Sequence, residues 1–412
     1  MTTTATAVVD KILANGVRVV CEQLPSRRGV TLELLVRFGA VDDPSDLPGA
    51  ATLAWGWQER GAQGLSARER RDALAELGVR TGGTAGRERS LLSARMTMEA
   101  FPEALPLWAA ELLTPDLDDV TFETARLHAL DVLDALEDRP DEQLEEALHA
   151  VTFQTPYGRS PHGRVEGVDN ADPQRVRNFR TARLGPAGAL LVVTGGLDPA
   201  RALELVASAF GGWSGAAPAE PGPRRFAPPT RHHETAPGEQ TQLGWSFPVL
   251  PPGDPQAVAQ ELGWAVAAEG MAGRLFREVR ERRGLAYAID ASLHQTNGAA
   301  WGTVVAATTP GRSAAAEEVV DSELRKLAQG VSDQELARAR ALLETREATG
   351  AESSSGRAGQ LLHDLRVHGR PRTLCERLGE LRAPRLADVQ EVLAATRLDH
   401  GARVILQPEE QT

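Results

Sequence analysis

The sequence R-E-R-R stands at residues 68–71 and again at residues 280–283, so the offset between the copies is 280 − 68 = 212. A second pattern, A-R-x-x-A-L, occurs at residues 125–130 and at residues 337–342 with the same offset. Either match alone is weak in a chain rich in arginine and alanine, but two matches at one offset indicate an internal repeat. We therefore predict that the chain is a duplication of one structural unit.

A proline-rich stretch lies between the two copies, at residues 215–230, and is typical of an interdomain linker. It divides the 412 residues into halves of similar length. We therefore predict an N-terminal domain over residues 1–214 and a C-terminal domain over residues 231–412.

The hydrophobic pattern mixes strands and helices without regular βαβ alternation. Alternating apolar residues predict a half-buried strand over residues 30–38. Further strands are predicted at residues 93–98, 189–194, 242–247 and 302–308. Helices are predicted at residues 49–61, 67–77, 101–112, 122–136, 142–152, 200–210, 256–269, 314–329 and 333–349. This order predicts an α+β fold of two homologous domains, each a largely antiparallel sheet with helices packed on one face.

The composition limits the class of protein. A hydrophobic content of 42% and a charged content of 25% are typical of a globular protein and exclude disorder. No stretch has the roughly 18 to 20 apolar residues that a membrane span needs, and no basic segment precedes an apolar one at the N-terminus. The net charge of −12 argues against nucleic acid as a partner. Cys21 and Cys375 have no metal-site spacing and suit a reducing compartment, so we expect a cytoplasmic location.

Several common catalytic motifs are missing from the sequence. Lys11 and Lys326 are the only lysines, so no G-x-x-x-x-G-K phosphate loop is present, and no G-x-S-x-G nucleophile elbow occurs. The nine histidines form no H-x-x-x-H or H-x-x-E-H pair. His232, His233 and Glu234 are adjacent, but neighbouring residues of a strand point to opposite faces, so we expect no metal site there.

Four stretches resemble the insulinase/pitrilysin-type metallopeptidases, and in particular the bacterial branch that is similar to mitochondrial processing peptidase. They are LANGVRVVCEQLPSRRGVTLELLVRFGAVDDPSDLPG at residues 13–49, YGRSPHGRVEG at 157–167, GMAGRLFREVRERRGLAYAI at 270–289 and VSDQELARARALL at 331–343. The third stretch is the most specific. The resemblance implies two homologous α+β domains in one chain, and a peptide-cleaving chamber enclosed by two such chains or halves.

The zinc motif of that family, H-x-x-E-H, falls where this chain has other residues. In the motif, two histidines four apart on a helix bind zinc, and the glutamate acts as a base on the zinc-bound water. The matching positions here are Thr52, Trp55 and Gly56, so both histidines and the glutamate are absent. The resemblance places the third zinc ligand within residues 122–136. Val132 lies near the expected position, with Asp131 and Asp134 beside it. The resemblance therefore implies a chain that holds no cofactor, with zinc in a partner subunit.

The second half has an arginine and a tyrosine seven residues apart, Arg280 and Tyr287. The resemblance implies that this pair is catalytic. Peptide hydrolysis develops negative charge on the carbonyl oxygen, and a phenol and a guanidinium can both donate hydrogen bonds to it. The alternative is that Arg280 is a surface helix residue and Tyr287 an aromatic at the end of a strand. The surrounding glycines, Gly270, Gly273 and Gly284, indicate close backbone packing.

Three functions are compatible with these residues. The favoured one is a zinc-less subunit of a heterodimeric metalloendopeptidase, inactive alone, that contributes Arg280 and Tyr287 to the active site of a homologous H-x-x-E-H-bearing partner. Unfolded peptides would be the substrates, added as an extra strand to a sheet edge as the family does. The second is a scaffold or peptide-binding module without a catalytic contribution. The third is a self-sufficient peptidase with an unrecognised metal site.

Overall fold

Two compact units make up the molecule. The computed structural model describes residues 7–215, 222–296, 298–398 and 401–409, so part of the expected linker, residues 216–221, lies outside the described residues. The first unit comprises Met1–Asp134, Arg159–Pro221 and Gly350–Leu365. The second unit comprises Ala135–Gly158, Gly222–Thr349 and Arg366–Thr412.

The first unit is built on a six-stranded sheet. Its strands are β1 Val8–Ile12, β2 Arg18–Gln23, β3 Gly29–Val36, β6 Arg80–Thr84, β7 Ser90–Thr97 and β8 Leu190–Gly195. They lie in the order β1-β2-β8-β3-β7-β6, and every neighbouring pair is antiparallel except β2 and β8. Gly61–Ala62 (β4) and Leu65–Ser66 (β5) form a separate two-stranded ribbon.

Helices cover one face of this sheet. They are α1 Ala50–Gln58, α2 Ala67–Glu76, α3 Phe101–Leu113, α4 Asp119–Ala135, α6 Val165–Asp169, α7 Pro173–Arg183 and α8 Pro199–Phe210. The core between them and the sheet is apolar and closely packed: Leu32 of β3, Trp57 of α1 and Trp108 of α3 are fully buried in it. Burial of this apolar area is the main contribution to the stability of the unit.

The second unit repeats this sheet. Its strands are β9 Arg231–Ala236, β10 Thr241–Val249, β11 Ala288–Thr296, β12 Ala299–Thr308 and β13 Ala402–Pro408. Their order is β11-β12-β10-β13-β9, and only the β9–β13 pair is parallel. Its helices on the main core face are α9 Ala257–Ala268, a π-helix at Phe276–Arg282, α10 Ser313–Ala328, α11 Asp333–Gly350, α13 Leu374–Arg382 and α14 Leu386–Ala395.

Each half of the chain supplies one helix to the unit formed mainly by the other half. The helix α5, Pro140–Thr152, packs Leu144 and Leu148 against Val404 of the second sheet. The helix α12, Ser354–Val367, packs Leu361 against Val20 of the first sheet. Both helices lie on the sheet face opposite the main core, so each sheet is covered on two faces.

The predicted duplication is confirmed by the order of elements. Read from β2 and from β9, the two sheets have the same strand order and the same single parallel pair. The strand β8 begins at Leu190 and β13 at Ala402, and α3 and α10 are separated by the same offset, which is that of the sequence repeats. The predicted α+β fold is also confirmed, with the single helix on the opposite face of each sheet as an addition. None of the helices that the structure describes is long and apolar enough to cross a membrane.

Candidate functional site

The three positions to which the family resemblance assigns the zinc motif lie on α1. Thr52 and Gly56 are four residues apart and therefore share one face of the helix, where both are half-buried. The Thr52 hydroxyl donates a hydrogen bond to the carbonyl oxygen of Pro161. Trp55 is only 3% exposed and belongs to the apolar core of the first unit. The helix of the motif is thus present, but its side chains now serve packing.

These residues do not fit a zinc ion. A hydroxyl already engaged with a backbone carbonyl, an indole N–H without a lone pair, and a glycine offer no ligand set of the kind that zinc binds. Asp131 and Asp134 of α4 are exposed, and Val132 stands between them. Within residues 7–215, 222–296, 298–398 and 401–409, no group of three or more His, Cys, Asp or Glu side chains is placed to hold a metal.

A buried carboxylate positions the N-terminus of α1. Asp43 accepts hydrogen bonds from the backbone N–H of Gly49, at 2.7 Å, and of Ala51, at 2.8 Å. The first helical N–H groups have no partner within the helix, so this carboxylate satisfies two of them. Burial raises the pKa of Asp43 to about 6, and the two backbone hydrogen bonds oppose that rise.

A second group of buried charges lies near the C-terminal end of α1. Arg70 of α2 and Glu111 of α3 form an ion pair of 2.5 Å with both side chains almost fully buried. Burial, and then the negative charge of Glu111, raise the pKa of Glu59 to about 7. Because each of these groups faces another side chain of the same unit, we interpret the cluster as part of the packing around α1.

The strand β6 forms one edge of the first sheet. All five of its residues are exposed, and β6 pairs with β7 alone among the described strands. Trp55 lies close to it: a methyl group added to Gly83 would approach Trp55 Nε1 to 3.5 Å. An unpaired strand edge offers backbone N–H and C=O groups to an extended peptide. The edge nearest the degenerate motif is therefore suited to strand addition.

Arg280 and Tyr287 converge in the second unit. The Arg280 guanidinium lies 5.6 Å from the centroid of the Tyr287 ring and 5.0 Å from that of Phe276. Tyr287 is 77% exposed, and Arg280 is exposed. In the part of the chain that the structure describes, neither the phenol hydroxyl nor the guanidinium forms a hydrogen bond or ion pair. Two unengaged donors therefore stand together at the surface.

Local backbone structure produces this convergence. Arg280 lies in the π-helix four residues after Phe276, and its guanidinium reaches the Phe276 ring. Gly284 has a φ of 58°, in the region that favours glycine, and turns the chain after this helix. The Tyr287 N–H then donates to the carbonyl of Ala307 at 3.0 Å, which fixes Tyr287 directly before the edge strand β11.

Sequence reasoning did not identify two features of these sites. The edge strand β6 was not predicted, because R-T-G-G-T has neither β-branched alternation nor apolar content. The role of Phe276 as a platform for Arg280 was missed as well. The spacing of four residues between Phe276 and Arg280, which is typical of side chains that share one face of a helix, was the available signal.

The fold and these sites define a duplicated α+β peptidase-like protein whose zinc-binding positions have other residues. Two family models match the chain: "Insulinase (Peptidase family M16)" at residues 18–163 and "Peptidase M16 inactive domain" at residues 170–343. Together they cover most of the sequence. The chain belongs to the insulinase family of peptidases, and the inactive-domain match agrees with a member that holds no zinc.

Relatives and solved structures extend this comparison. A protein of Mycobacterium tuberculosis strain H37Rv, named an uncharacterized zinc protease, is 25% identical over 92% of this chain and 88% of its own length. A protein of the same description from Bacillus subtilis is 22% identical over 96% and 97%. The fold is similar to that of a protease from Helicobacter pylori, with a TM-score of 0.88, 18% identity and coverage of 98% and 100%. A peptidase M16 inactive domain from Pseudomonas fluorescens has a TM-score of 0.85 and 20% identity, with 98% of both chains covered.

Proposed function

We propose that this protein is the zinc-less subunit of a heterodimeric metalloendopeptidase. A homologous partner that bears H-x-x-E-H would supply the zinc, and this chain would supply Arg280 and Tyr287 to the substrate bound there. The observation that carries the proposal is the convergence of two exposed hydrogen-bond donors that have no partner of their own among the described residues.

The chemistry of the two donors suits peptide hydrolysis. When water adds to a peptide bond, the carbonyl oxygen gains negative charge, and preorganised donors stabilise that charge in the transition state. The Tyr287 hydroxyl can donate one such bond. The Arg280 guanidinium has five N–H donors and can also hold a neighbouring substrate carbonyl in the ground state. Stacking on Phe276 restricts the guanidinium, so less conformational freedom is lost when the substrate binds.

Extended, unfolded peptides are the proposed substrates. The exposed edge of β6 can add a strand through backbone hydrogen bonds, and backbone pairing depends little on the peptide sequence. The proposed location is the cytoplasm, which agrees with two cysteines that are both free thiols.

Replacing Tyr287 by Phe in the reconstituted heterodimer tests the proposal. The change removes one hydroxyl from an exposed ring, so folding and pairing should be unaffected. Turnover of a fluorogenic peptide should fall by roughly 10²- to 10³-fold if the hydroxyl donates to the oxyanion. Tyr157→Phe is a matched control, because the hydroxyl of the other tyrosine donates to the Gly222 carbonyl and lies outside the proposed site.

Arg280→Ala separates binding from chemistry. The variant should raise KM as well as lower kcat, since the guanidinium would contact the bound substrate and its transition state. Arg282→Ala is the control, because Arg282 is paired with Glu278 at 2.5 Å and does not contact Tyr287. Unchanged kinetics in both Arg280→Ala and Tyr287→Phe would overturn the catalytic role and favour a scaffold or peptide-binding subunit.

A further inference from the structure

The two copies of the unit differ at one edge of the sheet. In the first unit, β2 pairs with β1 on its outer side, and Phe210 of α8 is buried in the core behind it. In the second unit, β9 occupies the position of β2. His232 of β9 is paired with Val404 of β13, and Val20 of β2 is paired with Val192 of β8, so the two pairs are related by the offset of the sequence repeat. Among the described residues, β9 pairs with β13 alone. Within residues 222–296, 298–398 and 401–409, no strand takes the place that β1 has at this edge in the first unit.

The backbone groups on the outer side of β9 can be assigned. Arg403 N–H donates to the Thr230 carbonyl at 2.8 Å, so even-numbered residues of β9 direct their polar groups to β13. Arg231, His233 and Thr235 consequently direct theirs outward, and all three are exposed. The equivalent positions in β2 do the same, since Gln23 N–H donates to the Ala7 carbonyl at 2.9 Å.

The surface beside β9 carries charged and polar side chains at positions where the first unit is apolar. A cavity of about 260 Å³ adjoins the strand, and Arg231, His233 and Glu317 contribute to its lining. Three of the matching positions in the first unit, Val19, Cys21 and Leu105, are fully buried in the apolar core. An apolar helix like α8 would remove Arg231, His233 and Glu317 from water at a cost in desolvation. Strand addition at the edge leaves them exposed to water.

We propose that β9 is a dimerisation edge that pairs antiparallel with β9 of a second copy of this chain. A twofold axis through His233 places His233 opposite its own copy and Arg231 opposite Thr235 of the second copy. Each of the three residues whose backbone groups point outward is then paired with such a residue of the second copy. This register gives the longest hydrogen-bonded overlap that β9 allows. The two five-stranded sheets become one continuous sheet.

The side chains of β9 are compatible with this register. His232 lies opposite Glu234 of the second copy, so the contact that these two side chains form within one strand, at 3.0 Å, is available across the interface as well. Arg231 keeps its ion pair with Glu317, at 2.7 Å, because that carboxylate belongs to α10 beside the strand. No carboxylate faces a carboxylate and no arginine faces an arginine. In the parallel arrangement, or in a shifted register, fewer outward groups are paired.

The oligomeric state of the full chain tests the pairing. Analytical ultracentrifugation over about 1–100 µM, concentrations at which a small interface associates, should show a reversible monomer–dimer equilibrium. His233→Pro removes the central outward N–H and should raise the dimer Kd at least roughly tenfold. His233→Ala keeps that N–H and should change the Kd by less than about threefold. A chain that stays monomeric throughout this range would overturn the proposal.

A cysteine cross-link tests the register without disturbing the backbone. Paired residues of a hydrogen-bonded antiparallel pair have Cα atoms about 5.5 Å apart, within the range that a disulfide spans. In a Cys375→Ser background, which removes the exposed native thiol, His233→Cys should form a disulfide-linked dimer on mild oxidation. Thr235→Cys should not, because its opposite residue is Arg231. Equal cross-linking at both positions, or none at His233→Cys, would contradict the twofold register.

Discussion

The two units have the same five-stranded arrangement and differ in what their helices and edges carry. In the first unit, α1 carries no zinc ligands at the positions that the resemblance assigns to the motif, and Trp55 of that helix is part of the core. In the second unit, Arg280 and Tyr287 are exposed and lie against each other, and their polar groups form no hydrogen bond or ion pair among the described residues. The sheet order is therefore independent of the chemistry at its margins. The same scaffold can bury the side chains of one helix in the first copy and present exposed donors in the second.

The comparison extends to equivalent residues of β2 and β9. Glu22 of β2 forms an ion pair of 2.8 Å with Arg357 of α12, and both side chains are 5% exposed. Glu234, at the equivalent position of β9, is exposed and contacts His232 at 3.0 Å. The helix α12 covers the carboxylate of Glu22, whereas the carboxylate of Glu234 is exposed to solvent. The same residue type therefore has a structural role in only one copy.

Glu22→Ala should have the largest effect on stability. It removes the carboxylate that the buried Arg357 guanidinium contacts at 2.8 Å, and breaking a buried pair of this kind costs about 3–5 kcal/mol. Glu234→Ala removes an exposed contact and should cost about 0.5 kcal/mol or less. Hydrogen exchange of the α12 amides, monitored by mass spectrometry, should report the first loss as faster opening of that helix. Similar losses for the two substitutions would mean that the two units do not differ as described.

A second contrast concerns the starts of α1 and α9. Asp43 is buried at the start of α1, whereas Asp254 near the start of α9 is half-buried and accepts a hydrogen bond from Gln256 N–H at 2.8 Å. Because the folded pKa of Asp43 is about 6 and its ordinary value is 3.8, the folded state binds this proton more tightly than the unfolded chain does. The stabilisation that comes from protonation of Asp43 is fully present below pH 3.8 and is lost as the pH rises through 6.

Asp43→Asn should therefore flatten the dependence of stability on pH. The difference between the folded and ordinary pKa values corresponds to about 3 kcal/mol between acid and neutral pH, and the variant lacks the titrating group. Urea unfolding of the wild type and the variant at several pH values between 4 and 7.5 measures the difference between their curves. Parallel curves for wild type and Asp43→Asn would contradict the assigned burial effect.

The elements with strong hydrophobic periodicity were predictable from the sequence. The helices predicted at residues 101–112 and 314–329 occur at Phe101–Leu113 and Ser313–Ala328, and the strand predicted at 189–194 occurs at Leu190–Gly195. The offset of the sequence repeat recurs in the starts of the two helices. These segments bury one continuous apolar face, so the pattern that forms the core is also the pattern that the sequence displays.

The exchange of α5 and α12 was not predictable, because it depends on which sheet a helix reaches and not on its own pattern. Leu361 packs on Val20 although the two residues lie in opposite halves of the chain. The π-helix at Phe276–Arg282 was not predictable either, because local propensity does not reveal this type of helix. The roles of Arg280 and Tyr287, and the domain boundaries at residues 214 and 231, remain predictions.

The helices α1 and α9 differ in the space around a glycine. A methyl group added to Gly56 of α1 meets no atom within 4 Å, whereas one added to Gly263 of α9 would approach the Leu393 side chain to 2.8 Å. Gly56→Ala should therefore stabilise the protein by about 0.5–1 kcal/mol, and Gly263→Ala should destabilise it. Thermal unfolding of the two variants measures the sign, and the same sign in both would contradict this difference in packing.

That open space allows part of the zinc motif to be rebuilt. Thr52→His combined with Gly56→His places two imidazoles four residues apart on one helix face, at the cost of the hydroxyl bond to Pro161. Isothermal titration should detect zinc binding to the double variant and none to the wild type, and zinc at 100 times the measured Kd should stabilise the variant by about 2.7 kcal/mol.

Peptidase activity should stay absent, because the base of the motif falls at Trp55. Replacing Trp55 by Glu would place an unpaired charge in the apolar core. Stoichiometric zinc in the wild-type chain, or no binding by the double variant, would show that α1 does not have the geometry described.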